Sequence, residues 1–497
     1  MTSRTPPSKP IGELHQEFFD AIRSFDDGVA GDLLDSWPLG EGPSREGLIA
    51  AAEAAAVRAD HGPLAGSRLD SEDWLADSIP RSVPEDLLRE TLFALASRGC
   101  FIGLAALARA LSPQDDFSHA LGIAATAGHA DCVDILLPLA DPKANDSYAL
   151  RRAALGGHRE CVKMLIPFSD PSAKSSEALF FAAAAGLADC VRELLPFSDP
   201  LALHWNPVFA EDGCDALDAA ASKGHAECVE ELLPHAAGAL ARSSALSHAA
   251  SCGHLDCVEL LLSLPNSADS VSSAILSAAG RGKALCLPPL LAQSPSKIAN
   301  SKALSAAAKG GHVKCVEILL PVSNAQFEHS SPIFFAADGG HAECVALLIP
   351  GSNCKDRNSL PLRSAAARGH HECVRLLIPH SDAKVNYSDP LRVSAGNGHI
   401  ECVKLLIPHS NPCDWASAAL RDAAISSHMD CVAALLPHSN PNDVDSYGHS
   451  VAQSARRAGM SSAADMIEQW QLSQLEAKLL DEASPPPTTA PMRARRM

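Results

Sequence analysis

Eleven cysteines recur along this chain at an almost constant interval, and that interval constrains the fold more than any other feature. Nine of the ten gaps between successive cysteines are 29 residues, and the gap from Cys190 to Cys228 is 38 residues. A strict period between 20 and 50 residues is typical of stacked repeats, so one repeat array replaces the three or four domains that 497 residues would otherwise suggest. The cysteines are Cys132, Cys161, Cys190, Cys228, Cys257, Cys286, Cys315, Cys344, Cys373, Cys402 and Cys431.

Each period contains two short amphipathic segments separated by a glycine. In the period LRVSAGNGHIECVKLLIPHS, Leu391 and Ala395 share one helical face and Gly398 ends that segment. Cys402 and the following Val and Leu residues are spaced for a second amphipathic helix. A proline after that segment disfavours further helix, so each period predicts a helix–turn–helix unit.

The alanine pair, the Gly-His turn and the Val-x-x-Leu-Leu helix resemble the ankyrin-repeat family over residues 88–470. The resemblance implies an all-α, ankyrin-like solenoid of helix–turn–helix repeats, with the first helices on its concave face, where partner proteins bind. The family period is about 33 residues, and the missing residues fall where the family carries its β-hairpin fingers. Shortened fingers are therefore expected.

The ends of the chain differ in composition from the repeats. Residues 11–90 hold 18 acidic and 6 basic residues and account for most of the net charge of −19. We predict a disordered N-terminus over residues 1–10 and an acidic helical cap or small domain over residues 11–87. The repeat solenoid is predicted over residues 88–470, followed by a helix end and a disordered tail over residues 471–497.

The repeating cysteines and turn histidines are predicted to stabilise the fold rather than to bind metal or to form disulfides. Adjacent repeats stack about 10 Å apart, too far for equivalent cysteines to form disulfides or to share one zinc ion. Free thiols favour a reducing compartment, so we predict a cytoplasmic protein, with the nucleus or delivery into a host cell as alternatives. The turn histidines are predicted to satisfy backbone groups locally. The cysteines outside the ladder are predicted to be more reactive: Cys100, Cys214, Cys252, Cys354 and Cys413.

Composition and motifs exclude most other functions. The acidic charge disfavours nucleic acid, and no segment is long and apolar enough to predict a membrane helix. No phosphate-binding glycine loop, metal motif or nucleophile elbow is present, so the sequence predicts no enzyme, cofactor or metal. The leading hypothesis is a monomeric, non-catalytic protein–protein interaction scaffold. The alternative is an enzyme or host-directed effector with its activity in residues 1–90 and the repeats as a targeting module.

Two pairs of phenylalanines occupy positions predicted to face outward on first helices. They are Phe180–Phe181 and Phe334–Phe335, each directly before an alanine pair. In a chain with only 4% aromatic residues, such pairs are candidate apolar anchors for a partner protein. Packing of the rings against a neighbouring loop is the equally weighted alternative.

Two further candidate contacts lie on other repeats. Arg363, Arg392 and Arg421 recur at 29-residue spacing and predict a strip that binds an acidic or phosphorylated segment. Pairing of each arginine with a carboxylate of the next repeat is the alternative. The nine-residue insertion brings Trp205 and Phe209 into a loop, where solenoids often carry binding residues.

Overall fold

The computed structural model describes residues 85–111, 117–204, 214–235, 239–294 and 296–482. These residues form 26 α-helices and no β-strand, which confirms the all-α fold class. In this part of the chain no helix is both long enough and apolar enough to cross a membrane. The predicted N-terminal segment 1–10 and nearly all of segment 11–87 lie outside the described residues. The predicted C-terminal helix end is described to Glu482.

The described residues form two compact units. Unit 1 consists of the described residues up to Ala249 together with Asp256–Asn266, and unit 2 consists of Ala250–Leu255 together with the described residues from Ser267 onward. Within each unit, first helices lie beside first helices and second helices beside second helices. Helices α1 to α12 are Glu85–Arg98, Phe101–Ala110, Ser118–Ala127, Ala130–Leu136, Ala144–Gly156, Arg159–Leu165, Ala173–Ala184, Ala188–Leu194, Ala216–Lys223, Ala226–Leu232, Ala239–Cys252 and Leu255–Leu262. Helices α13 to α26 are Ala268–Gly280, Leu287–Ala292, Lys297–Lys309, Val313–Leu319, Phe327–Asp338, Ala342–Leu348, Asp356–Arg368, His371–Leu377, Val385–Gly396, Ile400–Leu406, Asp414–Ile425, Met429–Leu435, Val451–Arg457 and Ser461–Glu482.

The repeat of α21 and α22 shows how 29 residues fold. Leu391 and Ala395 of α21 are fully buried, as are Cys402 and Val403 of α22. Helix α22 then ends in a 3-10 turn, Ile407–His409, which contains the proline. Because each helix is only two to three turns long, its stability comes from packing of these faces against neighbouring helices.

The turn histidines connect each repeat to the one before it. Nε2 of His399 lies 3.0 Å from the carbonyl oxygen of Ala367 in α19, 32 residues earlier in the chain. The prediction that these histidines are structural is confirmed, but the prediction of a local partner is wrong. The ring reaches the end of the preceding first helix, whose last carbonyl groups have no partner within their own helix. The same contact is made by His129, His158, His225, His312, His341 and His370.

The histidine ring also covers the turn glycine of the preceding repeat. Gly369 ends α19 with φ of +79°, a left-handed conformation that side chains other than glycine rarely adopt. A Cβ atom at Gly369 would lie only 2.6 Å from Nδ1 of His399. Glycine is therefore required here both for its backbone conformation and for the space that the histidine occupies.

A left-handed turn stands where shortened fingers are predicted. Asn386, Tyr387 and Ser388 have φ values of +48°, +61° and +58°, before the regular part of α21 begins. One backbone hydrogen bond, from the amide of Ser388 to the carbonyl of Lys384, closes this turn. Since the described residues contain no strand, the finger is reduced to this single turn. The same conformation occurs at residues 145–147, 174–176, 328–330, 357–359 and 415–417.

The third residue of each left-handed turn is a buried serine that joins three parts of the chain. The Oγ atom of Ser388 accepts a hydrogen bond from the amide of Asn411 at 2.9 Å and donates to Oδ2 of Asp414 at 2.7 Å. Asn411 lies at the end of the same repeat and Asp414 begins the first helix of the next repeat, so one hydroxyl group connects the two repeats. The acceptor role recurs at Ser118, Ser147, Ser176, Ser301, Ser330, Ser359 and Ser417.

Replacement of Ser388 by alanine tests this role. Because the amide of Asn411 and the carboxylate of Asp414 both lose a partner, Ser388→Ala is expected to lower the free energy of unfolding by about 1–3 kcal/mol. The matched control is Ser272→Ala, since the half-exposed Ser272 donates to the carbonyl of Ala268 in its own helix and to no other described repeat; its expected effect is below about 0.5 kcal/mol. Urea unfolding monitored by circular dichroism measures both. Equal effects of the two substitutions would contradict the proposed role of the serine.

Candidate functional site

The first-helix face is the surface formed by the two residues that precede the alanine pair of each first helix. Adjacent first helices lie side by side, so a neighbouring repeat can cover side chains of these two rows. The rows therefore contain buried, half-buried and exposed side chains rather than a uniformly exposed surface. Whether a side chain of these rows is buried, half-buried or exposed depends on the repeat that follows it.

Phe180 does not form part of an exposed anchor, which corrects the prediction made for it. Its side chain is buried in a cluster with Cys214 and Ala219 of the next repeat, and its ring centroid lies 4.4 Å from that of His204. Cys214 follows the nine-residue insertion, so the chain after the insertion packs against the ring of Phe180. Phe181 is half-buried and packs on the edge of the same cluster.

Phe334 and Phe335 are both half-exposed on α17. Their ring centroids are 5.2 Å apart and the rings are inclined by 52°. Nζ of Lys309, one repeat earlier, lies 5.8 Å from the centroid of the Phe335 ring. Sequence reasoning missed Lys309, although its place directly after the Ala306–Ala308 run puts it at the exposed end of α15. The pair presents apolar surface beside a cation.

Arg363 makes an ion pair with a carboxylate of the following repeat, and Arg392 pairs with one carboxylate of its own helix and one of the following repeat. Nε of Arg363 lies 2.6 Å from Oδ2 of Asp389, and Arg392 contacts both Asp389, at 2.5 Å, and Asp422, at 2.9 Å. Burial opposes the charge of Arg392, but the hydrogen bonds that its guanidinium donates to Asp389 and Asp422 outweigh the effect of burial and raise the pKa of Arg392. The side chain of Arg363 remains 45% exposed.

Arg421 is buried, so the prediction of an accessible strip of three arginines is wrong at this end. Its Nη2 atom donates to the main-chain carbonyl oxygens of Asp443, at 2.9 Å, and His449, at 3.5 Å. The segment before α25 folds over the guanidinium at the position where a further repeat would stand. The arginines thus serve mainly as connections between repeats, and Arg363 presents the most accessible charge.

The insertion between α8 and α9 is described only at its two ends. His204 and Cys214 form an isolated antiparallel bridge with backbone hydrogen bonds of 2.8 and 3.0 Å. Trp205 and Phe209 lie outside the described residues, so their predicted role as contacts stays a prediction.

All eleven ladder cysteines are free thiols and at most 1% exposed. Burial raises their pKa, to about 12 for Cys132 and to about 11 for Cys315, so these thiols are poor nucleophiles at neutral pH. No group of three or more potential metal ligands occurs in the described part of the chain.

Of the five cysteines outside the ladder, the structure exposes only Cys252 and Cys413. Cys100, Cys214 and Cys354 are buried, so the prediction of higher reactivity is wrong for these three. Cys214 begins the turn that covers Phe180, and burial raises its pKa to about 11. Position outside a periodic ladder therefore did not indicate exposure.

This geometry defines a class of protein: an all-α array of helix–turn–helix repeats joined by histidine and serine side chains. The family model described as ankyrin repeats, three copies, matches seven overlapping ranges. Together these matches extend over residues 121–447, and the chain therefore belongs to the ankyrin-repeat family. The matched ranges are 121–204, 150–240, 179–274, 275–358, 304–389, 333–414 and 362–447.

One solved structure is similar to part of the chain, the crystal structure of the human ASB11 ankyrin repeat domain. The two are 26% identical, and the match covers 39% of this chain and 96% of that chain with a TM-score of 0.35. No curated protein matches the sequence. Ankyrin repeats are generally protein–protein interaction modules.

Proposed function

We propose that this chain is a non-catalytic scaffold that binds a protein partner through the first-helix face of unit 2. The contact is centred on Phe334, Phe335 and Arg363. The observation that carries the proposal is the pair of half-exposed rings on α17, beside the exposed guanidinium that α19 carries in the same row. Aromatic and arginine side chains contribute most of the binding energy in many protein interfaces.

The charges around the two rings indicate the chemistry of the partner. Lys309 lies on one side of the phenylalanine pair, and Arg363 follows in the next repeat on the other side. A partner segment with an apolar residue flanked by carboxylates fits this arrangement. Arg392 lies further along the same face, where Asp389 and Asp422 already neutralise it, so we assign it a smaller contribution.

Phe181 is the candidate contact of unit 1. It is half-buried beside the cluster that holds Phe180, so less apolar surface is available than at the Phe334–Phe335 pair. The proposal for unit 1 therefore depends on Trp205 and Phe209 of the insertion adding to that surface.

The state of the cysteines supports a proposed location in the cytoplasm. All sixteen cysteines of the chain are free thiols in the structure, and fourteen of them are buried. Proteins that fold in oxidising compartments commonly carry disulfides, whereas thiols stay reduced in the cytoplasm.

Substitution of the phenylalanine pair tests the proposed surface. A partner is first identified by proximity labelling with the full chain, and its Kd is then measured for the wild type and for Phe334→Ala/Phe335→Ala. Loss of two apolar anchors is expected to weaken binding by about tenfold or more. The control is Phe168→Ala/Phe197→Ala, because this change also removes two phenylalanine rings, which are more exposed, at 54% and 56%, and lie on 3-10 turns after second helices of unit 1.

The control pair decides the outcome. If the variant on the first-helix face binds with unchanged affinity while its circular dichroism spectrum matches the wild type, the proposed surface is wrong. If the control weakens binding instead, the partner uses the edge formed by the 3-10 turns.

A further inference from the structure

Unit 2 contains a cavity that the proposed contact at Phe334, Phe335 and Arg363 does not include. It has a volume of about 400 Å³ and lies between α23 and the segment that precedes α25. Trp415 and Val444 form apolar walls, and Asp422, Asp445 and Arg421 contribute polar atoms. Trp415 is 65% exposed and Val444 is 54% exposed, although both are large apolar side chains.

We propose that this cavity binds a lysine or arginine side chain from a basic segment of a partner protein. The aliphatic part of that side chain would pack on Trp415 and Val444, and its charged end would pair with Asp422. The site lies on different side chains from the phenylalanine pair, so the proposal does not rest on the proposed function.

The charges around the cavity favour a cation over an anion. Two carboxylates, Asp422 and Asp445, line the cavity with one guanidinium group, that of Arg421. Arg392, which lies over the Trp415 ring, is already paired with Asp389 and Asp422. The chain as a whole also carries a net charge of −19, which attracts basic partners from a distance.

One carboxylate oxygen in the cavity is available to a ligand. Oδ2 of Asp422 accepts from Nη1 of Arg392 at 2.9 Å, whereas Oδ1 has no hydrogen-bond partner in the described part of the chain. Asp422 is 35% exposed, so a cationic group can reach it. Asp445 is different, because its oxygens accept from the amides of Tyr447 and His449 and from the hydroxyl of Ser454. It adds negative charge without offering a free acceptor.

The wall formed by Trp415 already contacts one cation. The guanidinium carbon of Arg392 lies 5.6 Å from the centroid of the Trp415 ring, and the exposure of the ring leaves much of its surface free. An aromatic face attracts a second cation by the same electrostatic interaction. Lysine and arginine also bury their methylene groups on apolar surface while the charged end stays near carboxylates, which matches the arrangement of Val444 and Asp422.

Charge substitutions at the rim test the proposal. The probe is a fluorescein-labelled peptide of six Lys-Ala repeats, titrated with the full chain at low and moderate salt, and the acidic counterpart has Glu in place of Lys. Val444→Glu is expected to strengthen binding of the basic peptide by about two- to fourfold, and Val444→Arg to weaken it by a similar factor. Trp415→Ala is expected to weaken binding by about two- to fivefold.

Substitutions at Val322 provide the matched control. Val322 is 42% exposed and lies on a 3-10 turn of the same unit, so Val322→Glu and Val322→Arg change the charge equally but away from the cavity. The acidic residues before position 91 also attract the basic peptide, but this background is the same in every variant. Opposite shifts at Val444 with none at Val322 support the proposal. Equal shifts at the two positions, no shift at Val444, or equally tight binding of the acidic peptide would overturn it.

The two proposals fail independently. Phe334→Ala/Phe335→Ala is expected to leave binding of the basic peptide unchanged, because the pair lies on α17 and the cavity lies against α23. Loss of peptide binding in that variant would assign the basic peptide to the phenylalanine pair and overturn the assignment to the cavity.

Discussion

Raising the pH from 8 to above 10 is expected to unfold this protein cooperatively, because its core contains a ladder of thiols that must stay protonated. Burial raises the pKa of nine cysteines to about 11 or 12, whereas an exposed thiol ionises near pH 9. Above pH 9 the unfolded chain has released these protons and the folded chain has not, so stability falls as the pH rises. The nine are Cys132, Cys161, Cys190, Cys214, Cys228, Cys257, Cys315, Cys373 and Cys402.

The size of the effect follows from the number of thiols. Each group whose pKa is raised by two or more units contributes up to about 1.4 kcal/mol per pH unit between its unfolded and folded pKa. Nine such groups together reach the ~5–15 kcal/mol that stabilises a typical folded protein within about one pH unit. Below pH 9 the same groups leave stability unchanged, because thiols are protonated in both states. Far-ultraviolet circular dichroism against pH measures the transition.

Cysteine variants separate this cause from the ionisation of other groups. Alanine at Cys315 and Cys373 removes two of the shifted thiols, so the fall of stability between pH 9 and 10 is expected to become shallower, although the variant is less stable at pH 7. Serine at the exposed Cys252 and Cys413 provides the control and is expected to leave the slope unchanged. An identical slope in the buried-cysteine variant would show that the thiols do not drive alkaline unfolding.

Substitution of Gly369 by alanine is expected to destabilise the protein by about 2–4 kcal/mol. The new Cβ meets the ring of His399 at 2.6 Å, and the backbone keeps a left-handed conformation that is unfavourable for alanine. Gly459→Ala is the matched control, because Gly459 has a φ of +82° and no neighbouring atom within 4 Å of the added Cβ. The control is expected to cost about 1 kcal/mol, and urea unfolding measures both.

A double-mutant cycle with His399→Ala isolates the contribution of the ring. In the background that lacks the imidazole, the cost of Gly369→Ala is expected to fall to that of Gly459→Ala, since only the backbone conformation remains unfavourable. If the cost stays the same in both backgrounds, the histidine does not occupy the space above the glycine.

The fold could be predicted from the sequence because the same helix-forming and helix-ending residues recur in many successive repeats. The 29-residue interval, the glycine and the proline each recur, so the helix boundaries near Gly398 and Cys402 followed from several periods at once. The serine contacts could not be predicted, although Ser359, Ser388 and Ser417 share the period. A serine in a polar connecting segment is compatible with many conformations, and only the left-handed turn shows that its hydroxyl points into the repeat.

The candidate site was harder to predict because exposure depends on the next repeat rather than on the residue itself. Phe180 and Phe334 occupy equivalent positions, yet one is buried by Cys214 and the other is half-exposed. The insertion that follows Phe180 changes what covers it. Arg421 shows the same dependence, because the segment that leads into α25 covers its guanidinium.

The histidine contact also determines how the length of such an array can change. His225 reaches the carbonyl oxygen of Ala184 across 41 residues, because the nine extra residues leave the chain before the contact and return before it forms. Each histidine ring contacts the repeat directly before it. Removal of residues 356–384, which is one whole repeat, would therefore place the ring of His399 against Gly340, in the position that His370 holds now. Duplication and loss of whole units are thus gene rearrangements that this architecture tolerates, whereas a deletion of another length that removes part of a helix disrupts the histidine–glycine pair that spans it.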